Sequence, residues 1–239
     1  MAKNNLEIIF ENDDLVVVNK PSGMLTISDR AQNISLKEIL LQKYGKIFTV
    51  HRLDRDTSGT VLFAKNEEAH RYFSLLFENR KVEKFYLGIV VGNPADDEGT
   101  IDSPIAEHPF IKGKMIINKH GKESLTTYKV MEHHNFFSLV EFQLHTGRTH
   151  QIRIHSKNIG HPIACDPLYG EGEPIKLSSI KKKYKLSKLE EEERPIITRL
   201  ALHSNKLIID LPDGEKKTFI APMPKDFMAL MKQQSKLKV

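Results

Sequence analysis

Apolar residues recur with two different periods along the chain, and each period predicts one type of secondary structure. In the window 66–80, apolar side chains are spaced three and four residues apart, as on the buried face of an α-helix. These side chains are Ala69, Tyr72, Phe73, Leu76 and Phe77. Shorter apolar runs bounded by glycine, proline, asparagine and aspartate are typical of strands. Such runs are EIIFE and LVVVNK around an Asn-Asp-Asp turn, VLFAK, EKFYLGIVVG and FFSLVEFQL.

Two further helices are predicted from their ends. Ser35 and Glu38 have the spacing of a capping box, and Gly45 follows them as a stop signal. A last helix is predicted over residues 225–239, after the strands of 199–222 and their Pro-Asp-Gly turn. Because strands outnumber helices and do not alternate regularly with them, the predicted fold class is α+β with a mixed, largely antiparallel central sheet.

The window 149–162, THQIRIHSKNIGHP, has an ambiguous pattern. Ile152 and Ile154 alternate as in a strand, whereas the spacing from Ile152 to Ile159 fits a helix. The length of the window and its glycine stop favour a helix with Thr149 as the N-cap.

Residues 176–194 stand apart in composition. A basic half that includes Lys181–Lys185 is followed by the acidic run Glu190–Glu193. This pattern is typical of a solvated segment, and we predict a mobile insertion here. The alternative, that the lysines contact phosphates, stays open at this point.

Composition excludes several classes of protein. The chain has 239 residues, of which 39 % are apolar and 28 % are charged, so it is not a disordered, collagen-like or multi-pass membrane protein. Its 36 basic against 31 acidic residues give a mild positive charge, which favours a polyanionic partner without proving one. A single cysteine, Cys165, indicates a reducing compartment. Without a signal-peptide pattern or an apolar run of about 20 residues, we expect a cytoplasmic protein that does not enter membranes.

Candidate chemistry is densest in the polar loop His51–Gly59. A carboxylate at Asp54, flanked by Arg52 and Arg55, is expected to stay ionised, so it can act as a nucleophile or as a general base. An Arg/Asp network that ties down a turn is the alternative. On the later predicted strand EKFYLGIVVG, Tyr86 either packs in the core or stacks on a nucleobase.

A second polar cluster covers residues 146–155. If a helix begins near Thr149, Arg148 lies at its entrance, where an anion such as phosphate or a carboxylate binds well. A solvated basic helix face is the alternative. The chain also carries four histidines at spacings of five, five and six, which do not share one helical face, so no metal site is expected. They are His145, His150, His155 and His161.

Several of these segments, in this order, resemble the RluA-type family of pseudouridine synthases. The matching segments are LVVVNKPSG, HRLDRDTSG, EKFYLGIVVG, LHTGRTHQIRIH, HPIACDPLYG and RLALHSNKLIIDLP. The resemblance implies one catalytic domain over residues 7–224, with two subdomains flanking an active-site cleft. It leaves no room for a separate S4-type RNA-binding domain before residue 7.

The resemblance also implies a role for individual residues. Asp54 matches the family's catalytic aspartate, and Arg148 matches the arginine that pairs with it. Tyr86 matches the tyrosine that packs on the flipped uracil, and Arg52 matches the arginine that enters the RNA stack. Further expected substrate contacts are His51, Thr57, Lys84 and His150.

The implied activity is isomerisation of specific uridines in a structured stem-loop of rRNA or tRNA, after base flipping and without any cofactor. We expect a cytoplasmic monomer. Whether Asp54 attacks the substrate or abstracts a proton stays open. Two other functions remain in competition, namely a non-catalytic RNA-binding protein on the same scaffold and a glycosidic-bond hydrolase that uses Asp54 with Asp56.

Overall fold

A computed structural model describes residues 6–29, 34–181, 184 and 192–237 of the chain. The strands are β1 (Glu7–Glu11), β2 (Leu15–Lys20), β3 (Phe48–Thr49), β4 (Ser58–Ala64), β5 (Glu83–Val91), β6 (Glu98–Asp102), β7 (Ile105–Glu107), β8 (Met115–Ile117), β9 (Leu125–Glu132), β10 (Phe137–Leu144), β11 (Leu202–Asp210) and β12 (Lys216–Ile220). The helices are α1 (Leu36–Tyr44), α2 (Glu67–Glu78), α3 (Gln151–Asn158), α4 (Leu177–Ile180) and α5 (Lys225–Ser235). The chain divides into two compact units, unit 1 with residues 1–86 and 203–222, and unit 2 with residues 87–202 and 223–239.

The sheet of unit 1 mixes both strand directions. Strand β2 lies between β1 and β4 and is antiparallel to both. Strand β3 is antiparallel to β4, and β12 is antiparallel to β11. Strands β4 and β11 are parallel, with Ser58 opposite His203 and Gly59 opposite Ser204. The predicted α+β class with a mixed, largely antiparallel sheet is confirmed.

The predicted apolar face of α2 is buried in the core of unit 1. All five apolar residues predicted for this helix pack in one cluster with Leu15, Val17 and Leu62 of the sheet. The helix begins after Asn66, whose side chain accepts the backbone N–H of Ala69 at 2.8 Å. The spacing of apolar residues therefore predicted this helix correctly, because only one of its faces packs against the sheet.

The capping box predicted at the start of α1 is present. The backbone N–H of Ser35 donates to the Glu38 carboxylate at 2.9 Å, and the N–H of Glu38 donates to the Ser35 hydroxyl at 3.4 Å. Gly45 ends the helix with a positive φ of 72°, a conformation that glycine adopts at low cost. Local sequence was sufficient at both ends of this helix.

Unit 2 contains the predicted hairpin of β9 and β10, with β6 antiparallel to β9. It also contains an antiparallel pair that the apolar pattern did not predict, β7 with β8. Helix α5 ends at Ser235, earlier than predicted, and residues 238–239 lie outside the described part. Within the predicted insertion 176–194, residues 177–180 form α4, whereas 182–183 and 185–191 lie outside the described residues.

Helix α3 confirms the helical interpretation of the ambiguous window, but the predicted cap was wrong. The N-cap residue is His150, in the left-handed conformation with φ 55°, and it makes no side-chain capping bond. Because the chain turns sharply at His150, the helix begins one residue later than a Thr149 cap requires. Every residue from Gln151 to Ser156 is buried, so neither periodicity could dominate the sequence.

Candidate active site

The loop that carries Asp54 is tied to the segment after β2 by a buried lysine. Lys20 is 0 % exposed, and its ammonium donates to the carbonyl oxygens of Pro21, Met24 and Arg55 at 3.0, 2.7 and 2.9 Å. These three acceptors match the three N–H donors of an ammonium, which makes its burial tolerable. Lys20 therefore joins two segments of unit 1 that are distant in sequence.

Further hydrogen bonds fix the backbone on both sides of Asp54. The Thr26 hydroxyl accepts the N–H of Leu53 at 3.1 Å and donates to its carbonyl at 2.9 Å. The Ser22 hydroxyl donates to the carbonyl of Asp56 at 2.6 Å. With its neighbours held in this way, Asp54 has a defined position before any substrate binds.

Asp54 lies close to Tyr86 within unit 1. Tyr86, on β5, is 8 % exposed. Burial raises the pKa of its phenol to about 12; the hydrogen bond with the Ser204 side chain opposes this shift, and the negative charge of Asp54 adds to it. The structure thus brings together two of the three predicted catalytic residues, and it adds Ser204, which the sequence analysis missed.

A replacement of Lys20 by methionine tests the importance of the buried ammonium. The change leaves three carbonyl acceptors without their donor, so we expect a loss of about 3 kcal/mol in the free energy of unfolding. Urea denaturation measures this loss. The matched control is Lys81→Met, at an exposed position of the same unit, and equal stability of the two variants would contradict the argument.

His51 is half-buried in unit 1, and its ring is engaged by other residues of that unit. Its ring stacks on Phe77 with centroids 4.4 Å apart, and its Nε2 accepts the backbone N–H of Leu62 at 3.0 Å. Burial lowers the pKa of the imidazole to about 3, and the positive charge of Lys84 contributes. Because both the ring face and Nε2 are engaged by the protein, the geometry gives His51 a structural role, and its contact with substrate stays a prediction.

The low pKa of His51 predicts a pH-dependent stability. As the pH falls below 6.5, the unfolded chain takes up a proton at His51, whereas the folded chain does not. The contribution of neutral His51 to the free energy of unfolding is therefore fully present well above pH 6.5 and is lost as the pH falls towards 3. Between pH 6.5 and 5.5 the free energy of unfolding falls by about 1 kcal/mol, because half of the unfolded imidazole is already protonated at pH 6.5. Urea denaturation at both pH values should show a smaller loss for His51→Gln than for the unmodified chain. The exposed-site control His120→Gln should behave like the unmodified chain, and identical losses in all three would contradict the prediction.

The other predicted substrate contacts of unit 1 differ in exposure. Arg52 is exposed, whereas Thr57 is buried and its backbone N–H donates to the carbonyl of Asp54 at 3.2 Å. Lys84 is half-buried; burial lowers its pKa, and the charge of Arg80 lowers it further. Their contacts with substrate stay predictions.

Arg148 belongs to unit 2, where its backbone and side chain are both held. Its Nε donates to the carbonyl of Glu123 at 3.0 Å, and its backbone N–H donates to the side-chain oxygen of Gln151 at 3.0 Å. Gln151 also accepts from the Thr146 hydroxyl at 2.7 Å and is 2 % exposed. No sequence signal pointed to this role of Gln151, because a glutamine at the start of a helix is ordinary. The pairing of Arg148 with Asp54 stays a prediction.

His150 and its neighbours form a second hydrogen-bonded group in unit 2. The His150 Nδ1 lies 2.9 Å from the hydroxyl of Tyr169, which also accepts the backbone N–H of Met115 at 2.8 Å. In the same unit, the guanidinium of Arg153 donates two hydrogen bonds of 2.8 and 2.7 Å to the buried carboxylate of Asp166. A buried pair of this geometry fixes the orientation of α3.

The described residues offer no cluster of three or more histidine, cysteine, aspartate or glutamate side chains that could hold a metal ion. The histidines considered above bind separate partners: the rings of His145, His155 and His161 contact Thr127, Thr126 and the carbonyl of Val91. None of the described helices is long and apolar enough to cross a membrane.

Comparison with known proteins identifies the family. The profile of the RNA pseudouridylate synthases matches residues 14–158, a stretch that contains Asp54, Tyr86 and Arg148. The chain belongs to this family. An uncharacterized RNA pseudouridine synthase of Aquifex aeolicus is 40 % identical to it over 189 residues, which cover 74 % of this chain and 58 % of the relative.

Two further similarities extend over almost the whole chain. Ribosomal large subunit pseudouridine synthase D of Nitrosomonas europaea is 33 % identical over 95 % of this chain and 64 % of its own length. The chain therefore spans about three fifths of the length of these two relatives. The solved structure of human RNA Pseudouridylate Synthase Domain Containing 4 matches with a TM-score of 0.73 and 26 % identity, over 96 % of this chain and 93 % of that chain. The pseudouridylate synthase fold predicted from sequence is confirmed.

Proposed function

We propose that this pseudouridylate synthase isomerises uridines in RNA to pseudouridine, with Asp54 as the essential carboxylate. The observation that carries the proposal is the position of Asp54, whose charge acts on the buried phenol of Tyr86 from a loop held at Leu53 and Arg55. A carboxylate presented by a fixed backbone beside an aromatic ring is suited to act on a planar pyrimidine.

The reaction balances without an external reagent. The N1–C1′ bond of uridine breaks, the uracil turns, and a C5–C1′ bond forms. The proton leaves C5, N1 gains one, and there is neither net redox change nor hydrolysis. Asp54 attacks the base or sugar, or it removes the C2′ proton. The family resemblance implies that Arg148 pairs with Asp54 to keep it ionised and oriented. Water has to be excluded, because a detached sugar would otherwise be hydrolysed.

Access to the target requires the nucleotide to leave its stack, at a cost of a few kcal/mol. The exposed side chain of Arg52 is free to enter the RNA and replace part of the lost stacking. The ring of Tyr86 holds the flipped uracil. Burial raises the pKa of Tyr86 to about 12, so its hydroxyl is protonated at neutral pH.

We further propose that the substrate is large-subunit ribosomal RNA, acted on by a monomer in the cytoplasm. The support is the name of the Nitrosomonas europaea relative, which is a ribosomal large subunit enzyme and resembles this chain over nearly its whole length. Transfer RNA is the alternative substrate, and the assay below compares the two.

The test is tritium release from [5-³H]uridine-labelled ribosomal RNA and transfer RNA incubated with the full chain, followed by nucleoside analysis. We expect tritium in water and pseudouridine in the ribosomal RNA. Pseudouridine in transfer RNA alone would overturn the choice of substrate. Free uracil would show a hydrolase, and RNA binding without any product would show a non-catalytic protein; either result overturns the proposed activity.

Replacement of Tyr86 separates the ring from the hydroxyl. If the ring holds the uracil by stacking, Tyr86→Phe retains most activity, whereas Tyr86→Ala loses about 10- to 100-fold in kcat/KM, the range of one base–aromatic stack. Steady-state tritium release measures both variants. Equal losses would instead assign the role to the hydroxyl and its bond with Ser204.

A further inference from the structure

The side-chain amide of Gln151 uses all of its hydrogen-bonding groups inside unit 2. Its Oε1 accepts the Thr146 hydroxyl at 2.7 Å and the backbone N–H of Arg148 at 3.0 Å. Its Nε2 donates to the carbonyl of Leu125 at 3.0 Å and to the Thr126 hydroxyl at 2.9 Å. An amide has two N–H donors and two acceptor positions, so this set is complete. Gln151 is 2 % exposed, so any part that it plays in the reaction is exerted through these neighbours.

Only one orientation of this amide satisfies its surroundings. The backbone N–H of Arg148 can only donate, and the carbonyl of Leu125 can only accept. A flipped Gln151 amide would place two donors together at Arg148 and two acceptors together at Leu125. The main chain therefore fixes which atom of the amide faces Arg148.

A buried histidine completes the network from the opposite side of Thr126. The Nε2 of His155 lies 3.0 Å from the carbonyl of Ser103, which can only accept, so this nitrogen carries the proton. Burial lowers the pKa of His155, and the Ser103 carbonyl and the charge of Asp102 oppose this shift only in part. The ring is therefore neutral at pH 7, and its Nδ1 accepts the Thr126 hydroxyl at 2.9 Å. The Thr126 oxygen is thus left as an acceptor for Gln151. Both Thr126 and His155 are fully buried.

Gln151 holds Arg148 through two backbone groups. The backbone N–H of Gln151 donates to the carbonyl of Arg148 at 3.1 Å, and its side chain accepts the backbone N–H of Arg148. The Arg148 Nε is held separately by the carbonyl of Glu123 at 3.0 Å. Among the residues that the structure describes, none accepts a hydrogen bond from Nη1 or Nη2 of Arg148. These two groups are the part of the guanidinium that is left to bind an anion.

We propose that Gln151 is the positioning residue of Arg148. Thr126 and His155 hold its amide in the orientation that this role requires. The inference rests on the isomerase function proposed above, in which Arg148 pairs with Asp54, and it adds the buried residues that set the position of the guanidinium. A misplacement of about 1 Å can slow a reaction about 100-fold. An arginine between β10 and α3 therefore needs a rigid support, because its long side chain has several rotatable bonds.

Replacement of Gln151 by methionine tests this role, with Gln234→Met as the matched control. Gln234 is also 2 % exposed and lies in the same unit, where its amide bonds to both backbone groups of Phe137. Each variant loses the hydrogen bonds of one buried amide and keeps an unbranched side chain of similar length. Urea denaturation should therefore show a loss of stability in both variants.

Steady-state tritium release separates the two variants. Gln151→Met should lower kcat about 10- to 100-fold and leave the KM for RNA unchanged, because the support of a group that acts in the transition state is lost. Gln234→Met should keep the kcat of the unmodified chain. Equal losses of kcat would mark a general effect of stability, and a raised KM at unchanged kcat would place Gln151 in RNA binding. Either result, or an unchanged kcat and KM in Gln151→Met, would overturn the proposal.

A conservative pair of variants at Thr126 keeps the test independent of whether Gln151→Met folds. Thr126→Val has nearly the same shape but no hydroxyl, so the Gln151 amide loses one of its four partners. Its kcat should fall about 3- to 10-fold, the range of one hydrogen bond. Thr126→Ser keeps the hydroxyl and should restore most of the activity. Equal rates for the valine and serine variants would contradict the proposal.

Amide hydrogen exchange followed by NMR on the full chain gives a readout that needs no activity. The backbone N–H of Arg148 should exchange at least about 10-fold faster in Gln151→Met than in Gln234→Met, because its acceptor is gone. Faster exchange at Arg148 in a chain that makes no pseudouridine would refute the isomerase and leave the support of Arg148 by Gln151 standing. Unchanged exchange, with pseudouridine formed by the unmodified chain, would refute the role of Gln151 and leave the isomerase intact.

Discussion

Replacement of Asp54 by asparagine is expected to reduce tritium release at least about 10³-fold, the largest effect of any single change considered for this chain. Asparagine has nearly the same shape but neither the negative charge nor a basic oxygen. It can therefore neither attack the substrate nor remove the C2′ proton. Asp54 is half-buried and its loop is held through backbone groups. The free energy of unfolding of the variant should therefore lie within about 1 kcal/mol of that of the unmodified chain.

The matched control for this experiment is Asp56→Asn. Asp56 lies on the same loop, is also half-buried, and is held through its carbonyl by Ser22. It should retain activity, because the proposed reaction needs one carboxylate. Comparable losses in both variants would favour a pair of carboxylates and hence a hydrolase. An Asp54→Asn variant that retained more than about a tenth of the activity would exclude Asp54 as the essential group.

Replacement of Gly59 by alanine is expected to cost at least about 4 kcal/mol in the free energy of unfolding. Two causes act together at this position. Gly59 has φ +113°, a conformation that L-residues rarely adopt, and an added Cβ would overlap the backbone carbonyl of Ser204. Since that carbonyl belongs to the paired strand β11, relief of the overlap requires the parallel pair of β4 and β11 to separate.

The control for Gly59 isolates the overlap from the backbone strain. Gly45 of the same unit has φ +72°, and an added Cβ there meets no atom within 4 Å. Gly45→Ala should therefore cost only about 1 kcal/mol. Thermal and urea denaturation of the two variants measure the difference, and equal costs would show that β11 yields without penalty. A folded Gly59→Ala fraction should also lose activity, because Ser204 bonds to Tyr86.

The parts of the fold that the sequence predicted depend on local or periodic information. Helix α2 was located because only one of its faces is apolar, and α1 because Ser35 and Glu38 satisfy each other's backbone groups. The start of α3 was not located correctly, since a left-handed His150 sets it and no residue pattern encodes that turn. Periodicity also failed for β7 and β8, whose short strands bury few side chains.

The site was predictable only where the family resemblance supplied the residues. Physical reasoning on the sequence found the dense polar loop of Asp54 but could not bring Tyr86 or Ser204 to it, since these contacts join residues tens to more than a hundred positions apart. In the sequence Lys20 is only the last residue of a predicted strand, although its ammonium donates to the carbonyls of Met24 and Arg55 and so holds the loop of Asp54. The carbonyl of Arg55, 35 residues away, is an acceptor that leaves no trace in the local composition around Lys20.

The hairpin of β7 and β8, residues 105–122, is closed at its base, and this has a consequence for how members of the family diverge. Since the backbone groups of Ile105 and Lys122 bond to each other, the chain enters and leaves this segment at almost one point. The tip residues between β7 and β8, 108–114, can therefore be exchanged or lengthened without a change of register in β6 or β9. The tip of this hairpin is thus an exchangeable segment, whereas its base, which packs against α3 and Tyr169, is not.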